Sequence, residues 1–221
     1  MQKYRFDEYF DYMLEKIGEP HDIQKVDEAV IERYKDKLPE QLFKYWREIG
    51  WCGFGNGLLW MVNPAEYEDI LTYWLGNSDL GDRDDLSVIA RSAFGKLYVW
   101  ASKKGEILSI NPHTNMMMYD NEKDEKNNYT KEEENKYMRY FWSHQKKNFL
   151  DFKDESDQPL FNRALEKLGP LKSDEMYGFK HHYRLGGKME LENLEISKLE
   201  VYQHIASQLP RMSTGIEGLF Y

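Results

Sequence analysis

Residues 86–119 read LSVIARSAFGKLYVWASKKGEILSINPHTNMMMY, and this stretch decides the fold class. It contains runs of β-branched, aromatic and other apolar residues at 86–91, 97–101 and 107–110, and a further candidate strand at 115–119. Only short segments with glycine or lysine separate most of the runs, which is typical of β-hairpins. The sequence therefore predicts strands that follow one another in an antiparallel meander.

Amphipathic helices are expected before this sheet. Four of them are predicted from apolar periodicity and terminal signals, at about residues 6–17, 26–37, 39–49 and 64–75. Pro39 suits the first turn of the third helix, and Asn63 is a typical cap for the fourth. Between these two helices, residues 51–57 form a glycine-rich turn cluster and residues 58–62 are a candidate buried strand.

The second half of the chain is predicted to be mostly helical, with a polar loop or linker at residues 120–129. Helices are expected after the capping box of Thr130 and Glu133, at about residues 159–168, and after a cap at Ser197, with short strands at 176–183 and 188–194. This order predicts an α+β fold, with N-terminal helices on an antiparallel sheet and a smaller, mostly helical C-terminal part. We expect two domains, residues 1–120 and 130–221, which could also pack as one unit.

The composition excludes several classes of protein. Acidic residues outnumber basic ones by 39 to 30, and the net charge of -9 disfavours non-specific binding to DNA or RNA. The mean hydropathy is -0.80, and neither a membrane-spanning run nor the apolar core of a signal peptide is present in the sequence. Cys52 is the single cysteine, which excludes an internal disulfide and a cysteine-based zinc site. A cytoplasmic location is expected.

No catalytic constellation stands out in the sequence. Residues 53–57 resemble a nucleotide-binding glycine loop only superficially, because such a loop needs a strand before it and a helix after it. Cys52 has no neighbouring base and is interpreted as a small buried hydrophobe. The histidines show no metal-binding spacing, although a metal site formed by tertiary approach stays open. We expect no enzyme and no cofactor; the alternative is an enzyme built from acids and histidines that meet in space.

The most asymmetric feature of the chain is the acidic segment 66–85, which carries seven acidic residues against one basic residue, Arg83. Two interpretations stay open. The segment is either a solvated helix face with a soluble loop or a docking surface for a cationic protein. In the second interpretation the binding residues are Glu66, Asp69, Asp79, Asp82, Asp84 and Asp85.

A first resemblance to a known family is carried by the stretch from Lys37-Leu38-Pro39-Glu40 to Ala93-Phe94-Gly95. This stretch resembles the GAD-like domain of bacterial proteins. Its characteristic residues are mostly glycines, prolines and aromatics, which we expect to build the fold rather than to contact a partner. They are Pro39, Trp46, Gly50, Gly53, Gly57, Trp60, Pro64, Phe94 and Gly95.

A second resemblance is carried by the stretch from Leu160 to Gly187, above all by the run Asp174-Glu175-Met176-Tyr177-Gly178-Phe179. It resembles the C-terminal domain of immunity proteins against type VI secretion DNase effectors. Its characteristic residues are Gly169, Glu175, Tyr177, Gly178, Phe179, Gly186 and Gly187. The sequence departs from the family pattern at His181-His182, where the family favours Pro-Ala.

Together the resemblances imply a cytoplasmic antitoxin that binds a cognate secreted toxin and blocks its active site or its access to substrate. The toxin is expected to be a nuclease with a basic groove for DNA, which an acidic surface can occupy. No membrane partner and no direct nucleic-acid partner are expected. The alternative is a nucleic-acid-associated or regulatory module, because the GAD-like domain takes its name from a domain of tRNA-dependent amidotransferases.

Overall fold

A seven-stranded antiparallel sheet, whose strands lie side by side in chain order, forms the centre of the molecule. The computed structural model describes residues 5–76 and 78–210. The strands of this sheet are β1 (Pro20–Gln24), β2 (Trp51–Phe54), β3 (Leu59–Met61), β4 (Leu86–Ser92), β5 (Leu97–Ala101), β6 (Gly105–Asn111) and β7 (Met116–Tyr119). The predicted meander and the α+β fold class are confirmed, and β1 and β2 are strands that the sequence did not indicate.

Strand β2 lies in the segment that the sequence predicts to be a turn. It pairs with β3, and Gly53 lies opposite Trp60. A Cβ on Gly53 would come within 2.7 Å of the His21 ring and 3.1 Å of the Trp60 ring, so this glycine permits close packing within the sheet. The turn follows at Gly55 and Asn56, which both have the positive φ that a tight hairpin requires.

Helices precede, interrupt and follow the sheet. In chain order they are α1 (Glu8–Ile17), α2 (Glu28–Tyr34), α3 (Glu40–Ile49), α4 (Glu68–Leu75), α5 (Asn121–Lys126), α6 (Lys131–Ser143), α7 (Lys147–Leu150), α8 (Phe161–Leu168) and α9 (Leu199–Ser207). A second sheet pairs β8 (Glu175–Phe179) with β9 (Leu194–Lys198). The capping box predicted before α6 is confirmed, because the side chains of Thr130 and Glu133 each accept from the other residue's backbone N–H.

The segment between the two predicted domains, residues 120–129, is not the structureless linker that its polarity suggests. It contains α5, which Asp120 caps by accepting from the backbone N–H of Lys123 at 2.8 Å. No residue of α5 is buried. A helix with an entirely polar surface lacks the apolar periodicity on which the sequence prediction depends. The division into residues 1–120 and 130–221 stays a prediction.

Two local predictions near the C-terminus are wrong. Residues 188–193, which belong to the expected strand 188–194, instead form a loop with a short 3₁₀ turn (Leu191–Asn193), and the Asn193 side chain donates to the backbone carbonyl of Lys188 at 2.8 Å. The second strand of the small sheet begins only at Leu194. Ser197 lies within this strand and does not cap the last helix, which begins without a side-chain cap.

The two faces of the large sheet are covered by different parts of the chain. On one face, the Phe54 ring of β2 lies 5.9 Å from the Phe10 ring of α1 and 6.1 Å from the Trp142 ring of α6. On the opposite face, Arg91 of β4 donates to the backbone carbonyl of Ser173 at 2.8 Å. One continuous set of buried apolar residues runs through both halves of the chain, so the C-terminal part is packed onto the sheet.

A buried polar network joins the turn after β6 to the C-terminal part. His113 is fully buried; its Nδ1 lies 2.9 Å from the Tyr202 hydroxyl and its Nε2 3.1 Å from the Tyr177 carbonyl. The Nε2 atom of His182, which is also buried, lies 2.7 Å from the Pro112 carbonyl. Burial lowers the pKa of His113 to about 3 and also lowers the pKa of His182. Both imidazoles are therefore neutral at pH 7.

Acidification is expected to destabilise the protein through His113. Its pKa of about 3 in the folded state lies below the value of about 6.5 in an unfolded chain, so the unfolded state binds more protons. This contribution to stability is complete above about pH 6.5 and decreases as the pH falls, by about 2 kcal/mol at pH 5. Urea unfolding at pH 7 and pH 5 measures the effect. The His113→Asn variant should show a smaller difference, and an unchanged difference would contradict this role.

Candidate functional site

The acidic residues predicted to bind a partner lie on a 3₁₀ turn (Pro64–Tyr67), on α4 and on the loop formed by residues 78–85. Asn63 caps the turn as predicted, because its side chain accepts from the backbone N–H of Ala65 at 3.2 Å. Asp85 is half-buried. The other predicted binding residues are exposed: Glu66, Asp69, Asp79, Asp82 and Asp84.

Part of the acidity of this segment is neutralised by α2. The Glu68 carboxylate accepts two bonds from Arg33 Nη2, both at 2.7 Å, and one from the Tyr34 hydroxyl at 2.6 Å. Burial, together with the hydrogen bond to Glu68, raises the pKa of Tyr34 well above its usual value. These contacts hold α2 against α4.

A second ion-pair cluster fixes the loop before β4. Arg83 donates to the two carboxylate oxygens of Asp85 at 2.9 and 2.8 Å, and to the Asp124 carboxylate of α5 at 2.6 Å. The hydrogen bond to Asp85, assisted by the one to Asp124, raises the pKa of Arg83. Asp85 therefore anchors the loop through Arg83, and its binding role stays a prediction.

The remaining predicted carboxylates form no ion pair with any residue in the ranges 5–76 and 78–210. We call these residues the acidic face: Glu66, Asp69, Asp79, Asp82 and Asp84. Exposed and uncompensated negative charge attracts a cationic partner and repels the phosphates of a nucleic acid. The acidic face is therefore the surface that best fits a basic protein.

A cavity of about 320 Å³ opens beside the acidic face. Leu71, Leu75 and Leu80 supply apolar walls, and Arg33 and Lys37 are among the charged residues that line it. No sequence signal marks this cavity, because its lining comes from α2, α4 and the loop before β4, which are separate in the sequence.

Cys52, considered above as a nucleophile, is a buried residue of the core. Cys52 is 1% exposed, and burial raises the pKa of its thiol to about 12, so it is a protonated thiol at neutral pH, in agreement with its interpretation as a buried hydrophobe. Within the described part of the chain, no group of three or more His, Cys, Asp or Glu side chains is arranged to hold a metal ion. In the same part, no helix combines the length and the apolarity needed to cross a membrane.

The motif residues of the first resemblance are all buried: Pro39, Trp46, Gly50, Gly53, Gly57, Trp60, Pro64, Phe94 and Gly95. Trp60 Nε1 donates to the Gly57 carbonyl at 2.8 Å, and the Arg91 guanidinium lies 4.6 Å from the centroid of its ring. Gly50 has a φ of +73°, and a Cβ there would lie 2.1 Å from the carbonyl oxygen of Gln24. These contacts are those of residues that build the fold.

The motif residues of the second resemblance lie in and around the small sheet. The Tyr177 hydroxyl donates to the Gly169 carbonyl at 2.6 Å. A Cβ on Gly187 would lie 1.8 Å from the carbonyl oxygen of His181, which leaves no room for any other residue. The others are Glu175, Gly178 and Phe179 in β8, and Gly186 with a left-handed conformation. None of these residues belongs to the acidic face.

Comparison with protein families accounts for most of the chain. Residues 8–114 match the family model of the GAD-like domain. Residues 134–210 match the family model described as T6SS immunity protein Tdi1, C-terminal. Both resemblances are confirmed. We refer to residues 8–114 as the GAD-like region and to residues 134–210 as the Tdi1-like region.

A solved structure shares the fold over both regions. The crystal structure of Atu4351 from Agrobacterium tumefaciens is 25% identical to this chain, with a TM-score of 0.79. The similarity covers 90% of this chain and 88% of that one. No curated protein matches the chain. The acidic face lies in the GAD-like region, and its helix α4 packs on α9 of the Tdi1-like region, where the rings of Tyr73 and His204 are 4.3 Å apart.

Proposed function

We propose that this protein is an immunity protein, an antitoxin, that binds a cognate type VI secretion toxin in the cytoplasm. The observation that carries the proposal is the match of residues 134–210 to the Tdi1 immunity family. The partner is a basic protein toxin, most simply a nuclease. It is neutralised because the bound antitoxin covers the surface that the toxin needs for its substrate.

Electrostatics support this mechanism. A nuclease has to present positive charge to the phosphate backbone of its substrate. The five carboxylates of the acidic face offer a competing negative surface that is attached to a folded protein of net charge -9. Opposite charge increases the rate at which two proteins meet, and a bound protein excludes the nucleic acid sterically. Inhibition in this scheme requires no catalytic group on the antitoxin.

A nucleic-acid-associated module is the competing function for the GAD-like region. The same acidic face that attracts a basic protein repels phosphates, so the charge distribution favours the antitoxin. Gel-shift titrations with tRNA and duplex DNA distinguish the two functions. Binding below micromolar concentration would support the nucleic-acid function instead.

The proposal predicts that a toxin is encoded beside this gene, and co-expression with that toxin tests the proposed function. Cells that produce the toxin alone should lose viability, and cells that also produce this protein should grow. The purified proteins should form a complex with a Kd of nanomolar or below, which corresponds to about -12 kcal/mol or more. A cysteine-to-serine variant at Cys52 should protect equally well, because no thiol chemistry is involved. Failure to protect, or the absence of a complex, would contradict the proposal.

A further inference from the structure

Helices α4 and α9 meet at the surface of the molecule and form a face of which the proposed function uses only Asp69. We propose that this face packs against an apolar patch of the cognate toxin, while basic residues around that patch pair with Asp69 and Glu200. The inference rests on the proposed function and specifies where and how the partner is held. We call this surface the α4–α9 face, and its members are Asp69, Tyr73, Glu200, Val201, His204 and Ile205.

Two aliphatic side chains and an aromatic pair give the α4–α9 face its apolar part. Val201 and Ile205 are each 58% exposed, and their spacing of four residues places them side by side on α9. His204, three residues after Val201, stacks on the Tyr73 ring of α4, with ring centroids 4.3 Å apart and an angle of 21° between the ring planes. Exposed apolar residues that occur singly are ordinary, whereas adjacent ones with a polar rim favour contact with another protein.

Buried hydrogen bonds hold this face rigidly from beneath. Trp74 Nε1 of α4 donates to Gln203 Oε1 of α9 at 2.9 Å, and Gln203 Nε2 donates to the Gly95 carbonyl at 2.6 Å. Trp74 and Gln203 are fully buried. The two helices are therefore fixed relative to each other before a partner arrives, which reduces the entropy lost on binding.

The edge of the α4–α9 face is acidic. Asp69 lies one turn before Tyr73 on α4, and Glu200 lies one turn before His204 on α9. Partial burial raises the pKa of Tyr73, and the carboxylates of Glu200 and Asp69 raise it further, so both acids lie close to its hydroxyl. The two carboxylates are exposed and form no ion pair with a residue in the ranges 5–76 and 78–210.

This charge identifies the partner. Neither α4 nor α9 contains a lysine or an arginine, and Lys198, which immediately precedes α9, is already paired with Asp174. An apolar centre with uncompensated carboxylates at its edge fits a surface whose apolar residues are surrounded by lysine and arginine. A second copy of this chain would bring the same carboxylates and a net charge of -9 against the face, so the charge favours the basic toxin as the occupant.

Removing the apolar part of the face without changing its charge tests the inference. The double variant Val201→Gln/Ile205→Gln should fold like the wild type, because both side chains are exposed and glutamine is at least as good a helix former as valine or isoleucine. Its affinity for the cognate toxin should fall by about 30-fold or more, because the desolvated centre of an interface carries much of the binding energy. The loss should appear as faster dissociation at an unchanged association rate, since the carboxylates are still present. Surface plasmon resonance with catalytically inactive toxin measures both rates.

Two exposed apolar residues on other helices provide the matched control. Tyr12 of α1 is 49% exposed, and Phe149 of α7 is 62% exposed. The double variant Tyr12→Gln/Phe149→Gln removes a comparable amount of exposed apolar surface outside the α4–α9 face. It should bind the toxin like the wild type.

The charged edge of the face is tested separately at Glu200. Glu200→Gln should slow association and weaken binding by about 5-fold at low salt. One lysine or arginine of the toxin should be coupled to Glu200 by about 5-fold or more in a double-mutant cycle. If no basic residue of the toxin shows such coupling, the proposed pairing is overturned.

The possible failures are distinguishable. If the wild-type protein does not bind the toxin, the proposed function fails and the inference fails with it. If the wild type binds and the folded Val201→Gln/Ile205→Gln protein binds equally well, the inference is overturned and the proposed function stands. An equal loss in Tyr12→Gln/Phe149→Gln would also overturn it. Analytical ultracentrifugation of the protein alone covers the other occupant, because a dimer that the Val201→Gln/Ile205→Gln variant abolishes would assign the face to a second copy and overturn the inference.

Discussion

Replacement of all three of Asp69, Asp79 and Asp82 by lysine is expected to lower the affinity for the cognate toxin by about 100-fold or more. These side chains are exposed and have no cationic partner among the described residues, so their reversal changes the surface without breaking a contact within the protein. Most of the loss should appear in the association rate, because the acidic face attracts the toxin before contact is made. The affinity of the variant for the toxin should also depend less on salt concentration than the affinity of the wild type does.

A second triple variant with the same change in net charge is the control. Glu48, Glu132 and Glu166 are exposed and form no ion pair with a described residue, and they lie outside the acidic face. Their replacement by lysine should alter toxin affinity by much less than the first variant. Equal losses in the two variants would mean that net charge, and not the acidic face, attracts the toxin.

Replacement of Arg91 by alanine is expected to destabilise the protein by about 3 kcal/mol or more. The guanidinium is fully buried and donates to the backbone carbonyl of Ser173 at 2.8 Å and to the Tyr67 hydroxyl at 3.1 Å. It also lies against the Trp60 ring. The variant would lose these bonds and leave a void between the sheet and the Tdi1-like region. Thermal unfolding should shift down by about 6–12 °C, and urea unfolding should give the free energy.

An exposed arginine provides the comparison for Arg91. Arg47 forms ion pairs with Glu28 and Glu40 at the surface, and its side chain is 40% exposed. Arg47→Ala should cost less than about 1 kcal/mol, because exposed ion pairs contribute little. Arg91→Lys keeps the charge but not the planar group, and it should fall between the two. A loss below 1 kcal/mol for Arg91→Ala would contradict the role described for this residue.

The parts of the fold that follow from local patterns are predictable from the sequence. The strands β4 to β7 are apolar runs with short turns between them, and Thr130 and Glu133 mark the start of α6. Strand β1 reads Pro-His-Asp-Ile-Gln and has no buried residue, so it lacks the alternation by which a strand is recognised. In the sequence, Gly53 indicates a turn. The sequence does not show that the rings of His21 and Trp60 occupy the space where a side chain at position 53 would lie.

The candidate site depends on contacts that the sequence does not encode locally. Exposure of most of the acidic segment follows from its composition. The pairing of Glu68 with Arg33 joins residues 35 positions apart, and Arg83 reaches Asp124 across 41 positions. Local charge counting therefore overestimates the free acidity and does not reveal that Asp85 is held in an ion pair with Arg83. The cavity arises only when α2, α4 and β4 come together.

The shared interior of the two regions limits how new proteins of this architecture can arise by recombination. A chimaera that joins one GAD-like region to another protein's Tdi1-like region has to bring matching partners for Arg91 and His113, or the junction loses its hydrogen bonds. Asp79 and Asp82, in the loop before β4, are exposed and need no such matching partners. Changes in toxin preference should therefore accumulate there as point substitutions, while the halves are inherited together.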